Sequence, residues 1–126
     1  MKKLVLVLLF ITLSSCELQE TKFKVLEYQT YKNNVLNKNV QLFDVRTSEE
    51  YNLGHIEGSI NIDFKNQEKF NEFFGNLDKK KPLYLYCRSG NRSKKSADIL
   101  LELGFSEVYD LKGGFIEWNL NELKQN

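Results

Sequence analysis

The chain has 126 residues and carries 18 lysines and arginines against 17 aspartates and glutamates, a formal charge of +1, so a generally basic, nucleic-acid-binding surface is not indicated. That length suits one domain large enough for its own core and leaves no room for a second. Two cysteines and a single histidine, His55, exclude a metal cluster built from several cysteines and leave a zinc site almost without ligands; neither metal nor cofactor is expected.

Met1-Lys2-Lys3 precedes an apolar run from Leu4 to Leu13, the charged start and hydrophobic stretch of a signal peptide. A helix crossing a bilayer needs roughly 20 apolar residues. This run stops well short of that before Glu17, which argues against a permanent span. Its end, Leu13-Ser14-Ser15-Cys16, resembles the lipobox of bacterial lipoproteins. The resemblance implies thioether lipidation of Cys16, cleavage before it and acylation of the new amino terminus. More than one acyl chain turns marginal membrane binding into stable anchoring, so a protein lipid-anchored on the extracytoplasmic face of a bacterial cell envelope is expected. The alternatives are an ordinary cleaved signal or a buried amino-terminal segment. On the lipoprotein reading residues 1–15 are the signal, 16–22 a lipidated tether and 23–126 the domain. Cleavage removes Lys2 and Lys3 and turns the charge from +1 to −1. Cys87 is then the only thiol, and no intrachain disulfide is possible.

From about Phe23 short β-like runs alternate with helical patterns, the order of an α/β domain with a central, mostly parallel sheet of about five strands flanked by helices. Lys24 to Leu26 reads as a short edge strand, followed by a helix over Tyr28 to Leu36. Val40 to Phe43 reads as a buried strand, and Ser48 to Leu53 as a short helix. Ser59 to Ile62 makes a shorter strand. Phe70, Phe73 and Phe74 recur at three- and four-residue spacing, which predicts an amphipathic helix over Phe64 to Phe74 whose stripe meets the core. Leu83 to Tyr86 is a strand. Beyond it Ala97, Leu100 and Leu101 line one side of the best-marked helix, with Gly104 placed to stop it. Val108 to Leu111 completes the strands.

Cys87 therefore falls at the carboxyl end of a strand, in the loop entering a helix, where open α/β sheets bind ligands. The segment reads Cys87-Arg88-Ser89-Gly90-Asn91-Arg92-Ser93. Gly90 and Asn91 tolerate left-handed torsions, so the loop can curl with N–H groups turned inward as an anion cradle. The helix that follows adds free N–H groups and a positive dipole end. Such surroundings favour a cysteine's thiolate.

Read with its neighbours, the segment closely resembles the rhodanese family. Cys87-Arg88-Ser89-Gly90-Asn91-Arg92 matches the family's six-residue loop that holds a cysteine persulfide. Asp44-Val45-Arg46, Glu50-Tyr51 and Gly54-His55-Ile56-Glu57-Gly58-Ser59-Ile60-Asn61 match its first signature, with Ser59 where alanine is usual. Leu111-Lys112-Gly113-Gly114-Phe115-Ile116-Glu117-Trp118 matches its closing glycine pair and tryptophan. Three motifs in order span about Phe23 to Leu123.

The resemblance implies ping-pong sulfur transfer. The Cys87 thiolate takes the outer sulfur of a small anionic donor such as thiosulfate, and a thiol or cyanide acceptor removes it. Loop amides would stabilise the anionic sulfur. Arg88 is expected to draw in the donor and Arg92 either to do so or to brace the loop; Asp44 is expected to support the loop. Arg46 is as well suited to structure as to substrate. His55 is expected to be a structural hydrogen-bonder, Gly113 and Gly114 to shape the backbone, and Trp118 to be core. Other readings stay open. Cysteine phosphatases use a similar cradle with five residues between cysteine and arginine, whereas four separate Cys87 from Arg92. A carrier or non-catalytic module binding a partner at the membrane is the other, although inactive relatives typically lack the cysteine.

Overall fold

The computed structural model describes residues 20–126; Cys16 and the signal segment lie outside them. Five strands, β1 (Lys22–Leu26), β2 (Gln41–Asp44), β3 (Ile60–Asn61), β4 (Leu83–Tyr86) and β5 (Glu107–Leu111), alternate with α1 (Tyr28–Val35), α2 (Ser48–Leu53), α3 (Gln67–Gly75), α4 (Asn91–Glu102) and α5 (Gly114–Gln125). The sheet order is β1-β5-β4-β2-β3 and every pairing is parallel. Among the described residues no helix is long and apolar enough to cross a membrane.

Central β4 is buried along its whole length, as a parallel strand covered on both faces must be. Because side chains alternate along a strand, Leu83 and Leu85 enter one core with Phe70 and Phe74 of α3 and Ala97 and Leu100 of α4. Tyr84 and Tyr86 enter the other, with Tyr28 and Tyr31 of α1 and Trp118 of α5. Full burial of a side chain of this size contributes roughly 1.5–3 kcal/mol, so the two cores hold the helices against the sheet.

Most expected elements form, with shifted ends. The strand expected from Lys24 begins at Lys22, inside the segment assigned to the tether, because Lys22 N–H reaches the Ser106 carbonyl at 2.7 Å and pairing with β5 runs from there. The third strand shrinks to Ile60–Asn61: Ser59 N–H closes a turn onto Ile56 at 3.0 Å instead. The helix expected from Phe64 starts at Gln67, because the Asn66 side chain caps the Lys69 N–H at 3.2 Å. Leu101 is only half-buried, beside the buried Ala97 and Leu100. Helix α5 was not expected at all, since a glycine pair opens it.

Candidate active site

The alternation that sends Leu83 and Leu85 toward α4 also sends Cys87 there, one residue beyond the end of β4, and leaves it 1% exposed. Gly90 N–H donates to Sγ at 3.1 Å, and the thiol donates to Ser93 Oγ at 3.3 Å. The turn that aims this amide needs Gly90 at φ 107°, a region costly for residues with a Cβ. Asn91, expected to share the left-handed turn, is instead the first residue of α4. A single loop amide, rather than several, reaches the sulfur among the described residues. Arg88 and Ser89 are exposed, while Ser93 is fully buried one turn into the helix.

The loop is fastened from outside by α5. The first N–H groups of a helix lack intrahelical partners, and here Phe115 N–H donates to the Cys87 carbonyl at 2.8 Å and Ile116 N–H to the Arg88 carbonyl at 3.1 Å. So close an approach requires no side chain at Gly114: a Cβ would lie 2.6 Å from the Arg88 carbonyl carbon and oxygen and from the Cys87 oxygen. The positive dipole end of α5 is thus spent on the loop's carbonyls.

Two arginines tie the loop's surroundings together. Arg92 forms a two-pronged ion pair with Glu50 of α2 at 2.7 and 2.9 Å, and it holds the Glu50 carboxyl down to about 2. Glu50 also closes the capping box with Thr47 that starts α2, so one side chain fixes the helix and the arginine. Arg46, 4% exposed, donates through Nε and an η-nitrogen to Asp44, which is fully buried, at 3.0 and 2.6 Å. Its second contact goes to the Gly54 carbonyl at 2.7 Å, and its guanidinium lies 4.2 Å from the centre of the Phe115 ring. Asp44 thus reaches the loop only at two removes, through Arg46 and then Phe115. A groove of about 310 Å³ beside the loop is bordered by Arg46, Glu50, Gly54, Arg88, Phe115 and Ile116. Arg88 is the arginine of the loop left exposed there.

His55 stacks on Tyr51 and contacts its carbonyl at 2.9 Å, and Trp118 is 6% exposed against Tyr28. Three participants went unassigned in the sequence. Glu50 is signalled by the Thr47-x-x-Glu50 capping pattern, and Phe115 by its place after the glycine pair. The third is Asp110, the buried carboxylate of β5, a strand that also carries the half-buried Glu107 at its start. Asp110 is 3% exposed, and Oδ1 has no hydrogen-bond partner among the described residues.

The fold and this loop define a class: a parallel α/β domain presenting one buried cysteine beyond the carboxyl end of its central strand. The chain belongs to the rhodanese-like domain family, whose model matches residues 27–121. It is 40% identical over 82 residues to the thiosulfate sulfurtransferase GlpE of Shewanella oneidensis, 65% of this chain and 78% of that protein. It is 35% identical over 94 residues to the tRNA uridine(34) hydroxylase of Pelagibacter ubique, where the match spans 74% of this chain but 31% of the relative. The crystal structure of a rhodanese-like domain protein from Staphylococcus aureus superposes with a TM-score of 0.66 at 29% identity, covering 75% of this chain and 90% of that one.

Proposed function

We propose that this protein is a sulfurtransferase in which Cys87 takes a sulfane sulfur from a small anionic donor such as thiosulfate, holds it as a persulfide and passes it to a thiol or cyanide. The observation that carries this reading is the seat of Sγ, which receives the Gly90 amide and faces the Ser93 hydroxyl in a loop pinned by α5. In the first half-reaction Sγ bonds to the donor's outer sulfur, the donor's S–S bond breaks, and sulfite leaves with its electron pair. In the second an acceptor thiolate attacks the same outer sulfur and returns Cys87. The Gly90 amide, already aimed at Sγ, offsets negative charge on the cysteine sulfur without reorganising during the reaction.

Arg88, exposed at the groove, supplies the charge that draws in the anion. Arg92 is engaged with Glu50, and a cradle whose closing arginine is tied to a carboxylate is poorly suited to gripping a phosphate ester. Mass spectrometry after thiosulfate treatment tests the reading: a gain of one sulfur atom on Cys87 is expected, with none in Cys87→Ser. Wild-type protein that stays unmodified and transfers no sulfur to cyanide overturns it.

We further propose that lipid on Cys16 tethers the domain to the extracytoplasmic side of a bacterial membrane, on the strength of the Leu13-Ser14-Ser15-Cys16 pattern. Cells expressing the full chain should yield it in the membrane fraction with acyl mass on Cys16, and Cys16→Ala should release it. An unacylated wild-type Cys16 sinks this part alone.

A further inference from the structure

A buried carboxylate that the sulfur chemistry above leaves unused faces the same side of the sheet as the thiol. Asp110 pairs with Leu85 across the β4–β5 ladder, and Leu85 precedes Cys87 by two positions, so all three side chains point to the α4 side of the sheet. From α4, Ser93 enters the same side of the sheet: its hydroxyl accepts from the Cys87 thiol at 3.3 Å, and its influence on the Asp110 carboxyl is to lower that group's pKa. An unpartnered carboxylate oxygen at 3% exposure is costly unless something compensates it.

We infer that Asp110 is the proton acceptor for the Cys87 thiol, reached through the Ser93 hydroxyl, so that one proton is held between the two residues and moves onto Asp110 as sulfur is loaded. This rests on the sulfur-transfer reading. In the step, the Cys87 S–H bond breaks and its proton passes to Ser93 Oγ while the Ser93 proton passes to Asp110. Sγ then forms its bond to the donor's outer sulfur, and the donor's S–S bond breaks with the electron pair leaving on sulfite. One negative charge is present before, on Asp110, and one after, on the persulfide. The burial cost of a second charge is thereby avoided. Asp110 borders a second groove of about 310 Å³ together with Gly90, Lys94 and Lys112, through which the proton exchanges with water.

The acceptor is suited to neutral pH. Burial raises the Asp110 pKa from 3.8 to about 7, against the lowering effect of hydrogen bonds from Ser93 and the Leu111 amide. The other groups facing it are few. Phe23 and Val25 of β1 are apolar, Lys94 comes from α4, and the Lys112 ammonium is tied to Glu27 at 2.8 Å. Tyr31 of α1, across the sheet, gives its hydroxyl to the Leu85 carbonyl at 2.9 Å. A carboxyl raised in the folded state contributes stability that is complete below its unfolded value of 3.8 and is lost as pH rises through about 7. Asp110→Asn, the same size without the charge, should therefore fold and should lack this decline, which serves as the folding control.

Asp110 is a positioning residue, since it acts through Ser93, and the test is a pH profile. The rate of sulfur loading and the rate of Cys87 alkylation by iodoacetamide are followed against pH in wild type, Asp110→Asn and Ser93→Ala. Wild-type rates should rise through an inflection near pH 7. In Asp110→Asn the inflection should vanish, with loading at neutral pH slower by about 100-fold, the lower end for a general base. Ser93→Ala should lose the inflection in rate while keeping the pH-dependent stability that reports Asp110. An alkylation profile unchanged by Asp110→Asn overturns the relay. Because alkylation needs no sulfur donor, an inflection there with no sulfur loading sinks the sulfur-transfer reading while the proton link stands.

Discussion

Gly114→Ala should cripple the loop that carries Cys87 while leaving the sheet folded. Two costs combine at this position. The backbone sits at φ 63°, where a residue with a Cβ loses about 1–2 kcal/mol. The added carbon would also lie 2.6 Å from three backbone atoms of Cys87 and Arg88. Those atoms belong to main chain and cannot rotate away as a flexible side chain would, and overpacking of this kind costs roughly 1–3 kcal/mol. The least expensive relief is to push the start of α5 outward, which breaks the bonds from Phe115 N–H at 2.8 Å and Ile116 N–H at 3.1 Å. Chemical denaturation should show a loss of about 2–5 kcal/mol, and amide exchange at Phe115 and Ile116 should accelerate first. A stable Gly114→Ala protein with both amides still protected would show that α5 does not pin the loop.

Asp44→Ala should be about as damaging for a different reason. It leaves the Arg46 guanidinium, 4% exposed, without the carboxylate that accepts from two of its nitrogens. Breaking one side of a buried pair costs about 3–5 kcal/mol, because the remaining charge has neither water nor counter-ion. Replacing both partners by apolar residues of similar volume is often neutral, so Asp44→Ala combined with Arg46→Met should recover much of the lost stability. Sulfur loading should recover less. Arg46 also grips the Gly54 carbonyl at 2.7 Å and packs against Phe115, contacts that a methionine reproduces only in part. Urea titration of the three variants beside their loading rates separates the two effects. If the double variant is no more stable than Asp44→Ala, the loss is not one of stranded charge.

Local chemistry explains which parts of this fold were legible. Leu83 to Tyr86 reads as a buried strand because its apolar run is continuous, and it forms over those residues. Ser48 to Leu53 likewise forms as expected, its start set by a capping box written in four adjacent residues. Where a cap competed with periodicity, the cap won, as at Asn66. Helix α5 was missed because two consecutive left-handed glycines, at φ 73° and 63°, read as a turn. Its formation rests on Trp118 entering the core of α1 and on Phe115 packing beside it, neither of which is a local signal.

The residues by themselves determined the class of fold, the seat of Cys87 at a strand end and the turn at Gly90, because each depends on neighbours within a few positions. Only the tertiary structure decided what surrounds the sulfur. The order β1-β5-β4-β2-β3 sets β5 on one side of the central strand and β2 on the other, so Asp110 approaches from the first and the Asp44–Arg46 pair from the second. Glu50 meets Arg92 across 42 positions of chain. Such meetings follow from which strands pair and how helices pack over them, a long-range choice made by burying apolar surface, and no spacing along the chain encodes it.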